Sequence, residues 1–91
     1  MFAQILIDAL GTFVLVLSVF LSGGNSLIIG TTLAAIVFLI GGISGAYVNP
    51  AISLAGYFYG SLSFAEFIGY SVGHFIAAVL AVKLYSYYNQ Q

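Results

Sequence analysis

The sequence has almost no charge. Its only ionised side chains are Asp8, Glu66 and Lys83, 3% of 91 residues, while 63% are hydrophobic. An average soluble domain carries roughly 25% charged residues. So little polar surface cannot cover a globule in water, and the expected solvent is a lipid bilayer. A single lysine cannot neutralise a run of phosphates, which excludes nucleic acid as a partner. Cysteine is absent, which removes disulfides and thiolate metal sites and leaves the redox compartment unread. Two acids and one histidine, His74, come with no nucleophile and no metal-ligand cluster, so no metal, cofactor or enzymatic activity is expected. The N-terminus also lacks basic residues, and the apolar pattern runs far beyond one signal-peptide core. The first apolar segment is therefore expected to stay in the fold.

What the sequence does contain is three long apolar runs. A hydrocarbon core about 30 Å thick takes about 20 helical residues, and residues 4–21, 27–43 and 64–85 approach that length. The first two are separated by Ser22-Gly23-Gly24-Asn25-Ser26, a short turn that makes them antiparallel neighbours. Tyr85, Tyr87 and Tyr88 fall where interfacial aromatics belong, and Lys83 can snorkel there. Ala65, Gly69, Gly73, Ala77 and Ala81 recur at every fourth residue, as do Gly30 and Ala34. Such stripes of small residues allow helices to pack closely in lipid, and Ala51 and Ala55 are expected to lie against one. Asp8 costs about 2.5–3.5 kcal/mol near a helix centre on insertion scales. It needs a partner or a route to headgroup water, and His74 is one candidate for that partner.

Between the second and third runs, residues 41–50 read Gly-Gly-Ile-Ser-Gly-Ala-Tyr-Val-Asn-Pro, and an apolar stretch continues to Tyr59. Asn is a favoured helix N-cap and Pro a favoured first helical residue, so Asn49-Pro50 predicts a helix start. Ten residues rise only about 15 Å, half the hydrocarbon thickness. Gly60-Ser61-Leu62-Ser63 then turns the chain, and Ser63 with Glu66 makes a capping-box pattern at the start of the third run. The segment enters the bilayer, stops near its middle and returns to the same side. A surface helix on an interfacial loop is the alternative, but such a helix carries a charged face, and residues 41–60 hold no charge. Extended backbone at mid-membrane is tolerated only beside protein or a water-filled cavity. A re-entrant loop therefore implies a pore or a binding site.

Ser44-Gly45-Ala46-Tyr47-Val48-Asn49-Pro50-Ala51 resembles the Ser-Gly-Ala-His-x-Asn-Pro-Ala signature of the major intrinsic proteins, the aquaporins and glycerol facilitators, in the first of its two copies. Asp8-Ala9-Leu10-Gly11-Thr12-Phe13 resembles the first-helix Glu-Phe-x-Gly-Thr-Phe. Ile52-Ser53-Leu54-Ala55 resembles Val-Thr-Leu-Ala, and Tyr70-Ser71-Val72-Gly73-His74 resembles a third-helix pattern that ends in Gln. The resemblance implies an all-α membrane fold of three transmembrane helices and one re-entrant half-helix, one half of an aquaporin-like channel. Family members carry two inverted halves, and here one is seen. Their filter Arg follows the second Asn-Pro-Ala; the equivalent position is Ile52, and the other filter positions fall on Ile29, Val37 and Ala46, all apolar. The loop His is Tyr47.

On this resemblance Asn49, with Pro50 and Ala51, selects the solute. Its side-chain oxygen accepts from its own helix, and its NH2 is left as a donor toward the lumen. The half-helix N-terminus adds roughly half a positive charge against cations. Asp8 is expected to brace the loop, as the family's acid does, and His74 to be a buried, satisfied imidazole. The expected function is passive transport of water, with glycerol or other small neutral solutes. The pore would be completed by a second copy packed antiparallel or by a separate second half. One lysine gives almost no orientation bias, so both insertions are open to the chain. The rival readings are a truncated or partner-dependent half with no channel activity alone, and a small membrane or lysis protein that oligomerises through its Gly/Ala stripes.

Overall fold

The structure, a computed structural model, describes residues 1–90 and contains four helices: α1 (Phe2–Leu21), α2 (Ser26–Ser44), α3 (Pro50–Tyr59) and α4 (Phe64–Asn89). Among the described residues there is no strand. Windows in α1, α2 and α4 reach mean hydropathies of 2.2, 2.3 and 1.7, and these helices are long enough to cross a bilayer. α3 has 10 residues and is not. α4 runs beyond Tyr85 because Ser86, Tyr87 and Tyr88 include neither Gly nor Pro to stop it.

Local chemistry sets the helix ends. Gly23 and Gly24 take left-handed angles (φ 67° and 80°) that close the α1–α2 turn. Asn25 then caps α2, its Oδ1 accepting from Ile28 N–H at 3.0 Å. At the start of α4, Ser63 Oγ accepts from Glu66 N–H (3.1 Å) while Glu66 Oε1 accepts from Ser63 N–H (2.8 Å), the reciprocal capping box.

The helices pack in the row α2–α1–α4–α3. The backbones of α2 and α3 make no close approach, and α3 bears on α4 alone among the helices. The α1–α4 contact uses the small stripe: Gly69 faces Ile5, Gly73 faces Ile5 and Ala9, and Ala77 and Ala81 are buried. Gly11 does the same for α1–α2, beneath Ile36 and Ile40. Gly30 and Ala34 are exposed and have no such role within the chain. A Cβ at Gly73 would already lie 3.4 Å from Ala9 Cβ and 3.8 Å from Ile5 O. Gly73→Leu should therefore wedge α4 off α1 at a cost of about 1–3 kcal/mol. A lower thermal midpoint in detergent, followed by far-UV circular dichroism, checks this.

Candidate pore-lining site

α2 ends at Gly45, which takes φ 89° and donates its N–H to Gly41 O at 3.0 Å. Two further left-handed residues follow, Ala46 (φ 49°) and Val48 (φ 47°). Side chains there are uncommon and cost about 1–3 kcal/mol each unless the surroundings impose the angle. Asp8 of α1 supplies the imposition. Its Oδ1 accepts from Tyr47 N–H (3.0 Å) and from Ser44 Oγ (2.6 Å), and its Oδ2 accepts from Val48 N–H (2.8 Å). Oδ2 also meets His74 Nε2 at 2.6 Å. Ser44 Oγ in turn accepts from Ala46 N–H at 3.1 Å, and Tyr70 on α4 donates its hydroxyl to Ser44 O at 2.9 Å.

Asp8 is 0% exposed and His74 1%, so neither reaches headgroup water. His74 Nδ1 is buried without a partner. The expectation of a buried, satisfied imidazole is thus met at Nε2 and not at Nδ1 among the described residues. Every N–H from Gly45 to Val48 is thus occupied, whereas the four carbonyls of residues 45–48 accept no hydrogen bond within the described residues. Backbone acceptors of a loop embedded in lipid require water or another partner.

The strand of loop ends at Asn49, which caps α3 in an extended conformation and accepts from Ala51 N–H at 2.8 Å through Oδ1. Its NH2 makes no bond within the described residues, and the residue is exposed. Pro50 takes the first helical position. Ser53, 0% exposed, donates to Pro50 O (3.0 Å) and pairs with Ser71 Oγ (2.8 Å), which seats α3 on α4. Ser53 and Gly56 are the buried residues of α3, and Ala51 and Ala55 turn outward. Within the chain, those two alanines therefore do not pack against a small stripe. A hydroxyl pair sets the rotation of the half-helix, and alanine has nothing to match it in lipid.

Of the positions placed at a lining by resemblance, Val37, Asn49, Ala51 and Ile52 are exposed, Pro50 and Ile29 half-buried, and Ala46 buried at 9%. Val37 lies seven residues before Ser44, about two turns, and so on the face of α2 that carries Ser44. Sequence reasoning missed Ser44, Tyr70, Ser53 and Ser71 as bracing residues; hydroxyls inside apolar runs were the available signal.

A sequence model described as "Major intrinsic protein" matches residues 22–91, a span that includes the whole loop, the half-helix and α4. The chain belongs to the major intrinsic protein family. It is accordingly an integral, multi-pass membrane protein, and the expected all-α fold of three spans and a half-helix is present. Two curated family members are similar to it. A probable aquaporin, AqpM, of Archaeoglobus fulgidus is 35% identical over 95 residues, an alignment covering 91% of this chain and 39% of that protein. Aquaporin-8 of Milnesium tardigradum is 40% identical over 52 residues, covering 57% of this chain and 15% of that protein. The chain thus spans less than half the length of either relative. No solved structure matches it significantly.

Proposed function

We propose that the chain is one half of an aquaporin-type channel for water and small neutral solutes such as glycerol, completed by a second copy packed antiparallel. The observation that carries this reading is the loop at residues 45–49. Asp8 and Ser44 take its donors, while four carbonyls and the Asn49 NH2 are left without partners in a membrane-embedded segment. A passing water or hydroxyl donates to the carbonyls, and its oxygen accepts from Asn49. The N-terminus of α3 carries roughly half a positive charge, which opposes cations at the same point. Val37, Ile29 and Ile52 are apolar, so the constriction sorts by size and imposes no charge. With the α2 and α3 backbones apart, the pore lacks a wall, and an inverted second copy supplies it. Lys83 is the single Lys or Arg of the sequence, so basic residues give little orientation bias.

Stopped-flow shrinkage of proteoliposomes tests the channel. The expected rate is several-fold above that of empty vesicles, and equality with empty vesicles sinks the reading. Assembly is tested separately with a single cysteine added at either terminus, which is clean because the chain has none. Labelling of each terminus from both sides supports the antiparallel pair. One fixed orientation replaces it with a distinct second half.

A further inference from the structure

Residue 47 is joined to all four helices. Its N–H is held by Asp8 of α1. Its ring lies over the Cα of Gly45, the C-cap of α2, so closely that a Cβ there would stand 2.6 Å from Tyr47 Cε2. The opposite ring edge lies on Gly56 of α3, where a Cβ would stand 2.8 Å from Cε1. Tyr70 of α4 meets the ring edge-on, with centroids 5.3 Å apart and planes at 66°. Two glycines therefore leave a slot, and the Tyr47 ring fills it.

The mechanical consequence follows from the packing row. α3 bears on α4 alone and is seated there by the Ser53–Ser71 bond. Tyr57 of α3 also packs on Phe64 and Phe67 of α4, and none of these contacts reaches α2, so the distance between α3 and α2 is set elsewhere. The ring stands in that gap, between the C-cap of α2 and the middle of α3. Asn49 and the carbonyls of residues 45–48 flank it on the same loop, so their placement is set with it.

We propose that Tyr47 is a positioning residue whose ring fixes the spacing between the half-helix and α2, and thereby the largest solute that the pore admits. The size-selection part rests on the channel reading above; the spacing part does not. Tyr47→Ala empties the slot, Tyr47→Phe keeps the ring without its hydroxyl, and Gly56→Ala pushes the ring without removing it. Two readouts are taken. In proteoliposomes matched for inserted protein, Tyr47→Ala should raise the ratio of sorbitol to water permeability at least five-fold. Gly56→Ala should move the ratio in the same direction by less, and Tyr47→Phe should leave it at the wild-type value. A role in folding alone changes the amount inserted and not the ratio.

The second readout needs no transport. Val48 is 6% exposed, and in this cysteine-free chain Val48→Cys provides a single thiol. Its reaction with a membrane-permeant maleimide should be at least ten-fold faster with Tyr47→Ala than without, and unchanged with Tyr47→Phe. Unchanged labelling and an unchanged solute ratio in Tyr47→Ala overturn the proposal. A Phe variant that behaves like the Ala variant also overturns it, by showing that the hydroxyl acts and not the ring. If the wild type is impermeable, size selection fails together with the channel reading, and the thiol rates still decide whether the ring fixes the loop.

Discussion

Asp8→Ala is expected to unhook the loop from α1 and to cost about 3–5 kcal/mol, because it removes one buried carboxylate from several polar groups at once. The substitution leaves the N–H groups of Tyr47 and Val48, the Ser44 hydroxyl and His74 Nε2 without their acceptor. A buried unsatisfied polar group costs about 1–3 kcal/mol, so partial relaxation of four such groups reaches the same range. The left-handed angles at Ala46 and Val48 also lose the bonds that impose them. Asp8→Asn should be intermediate, since one oxygen still accepts while its NH2 confronts donors. Thermal unfolding in detergent, read by near-UV circular dichroism, measures the effect where it occurs: the chain has no tryptophan, and the Tyr47–Tyr70 pair sits beside the site. A midpoint for Asp8→Ala within about a degree of wild type would show that the carboxylate does not carry the loop.

The residues that made the fold legible in the sequence are those whose chemistry is local. Asn49-Pro50 marks a helix start, ten apolar residues after it are too few to span, and Ser63 with Glu66 caps the next helix; each of these is decided within four residues or by a length. The stripe from Gly69 to Ala81 was legible as a close-packing face, but its partner was not. Gly30 and Ala34 have the same spacing and remain exposed, because a small stripe says that something can approach without saying what.

The site was less legible for the same reason. Asp8 required a partner on energetic grounds, and the resemblance pointed to the loop. That it takes two N–H groups, a hydroxyl and an imidazole together depends on residues 36 to 66 positions away. The left-handed Ala46 and Val48 give no signal at all, since the residue types do not prefer that angle and Asp8 supplies the reason for it from another helix. The rotation of α3 within the chain is not legible from Ala51 and Ala55, which look like packing residues, because the Ser53–Ser71 pair is the stronger claim on the interface once water is gone.

Asn49→Asp tests the proposed barrier with the scaffold kept. Asp caps a helix about as well as Asn, so its carboxylate can still accept from Ala51 N–H and α3 should form as before. The change replaces the unpartnered NH2 donor with an anionic oxygen at the point where the half-helix contributes roughly half a positive charge. For a cation about 4 Å away, a full negative charge is worth about 4 kcal/mol at an effective dielectric of 20. That exceeds the barrier expected from the helix end alone, which is about 0.3–1 kcal/mol at exposed sites. The sign of the selectivity should therefore reverse: sodium or potassium should leak through, or bind and block, while Tyr47 and Val48 remain on Asp8. Flux of a cation-sensitive dye in proteoliposomes, beside stopped-flow water permeability, separates leak from block. Leak raises the cation signal with water flux within about two-fold of wild type, and block lowers water flux as salt is added. Ion exclusion and water flux both unchanged would place Asn49 outside the lumen and leave it as a helix cap.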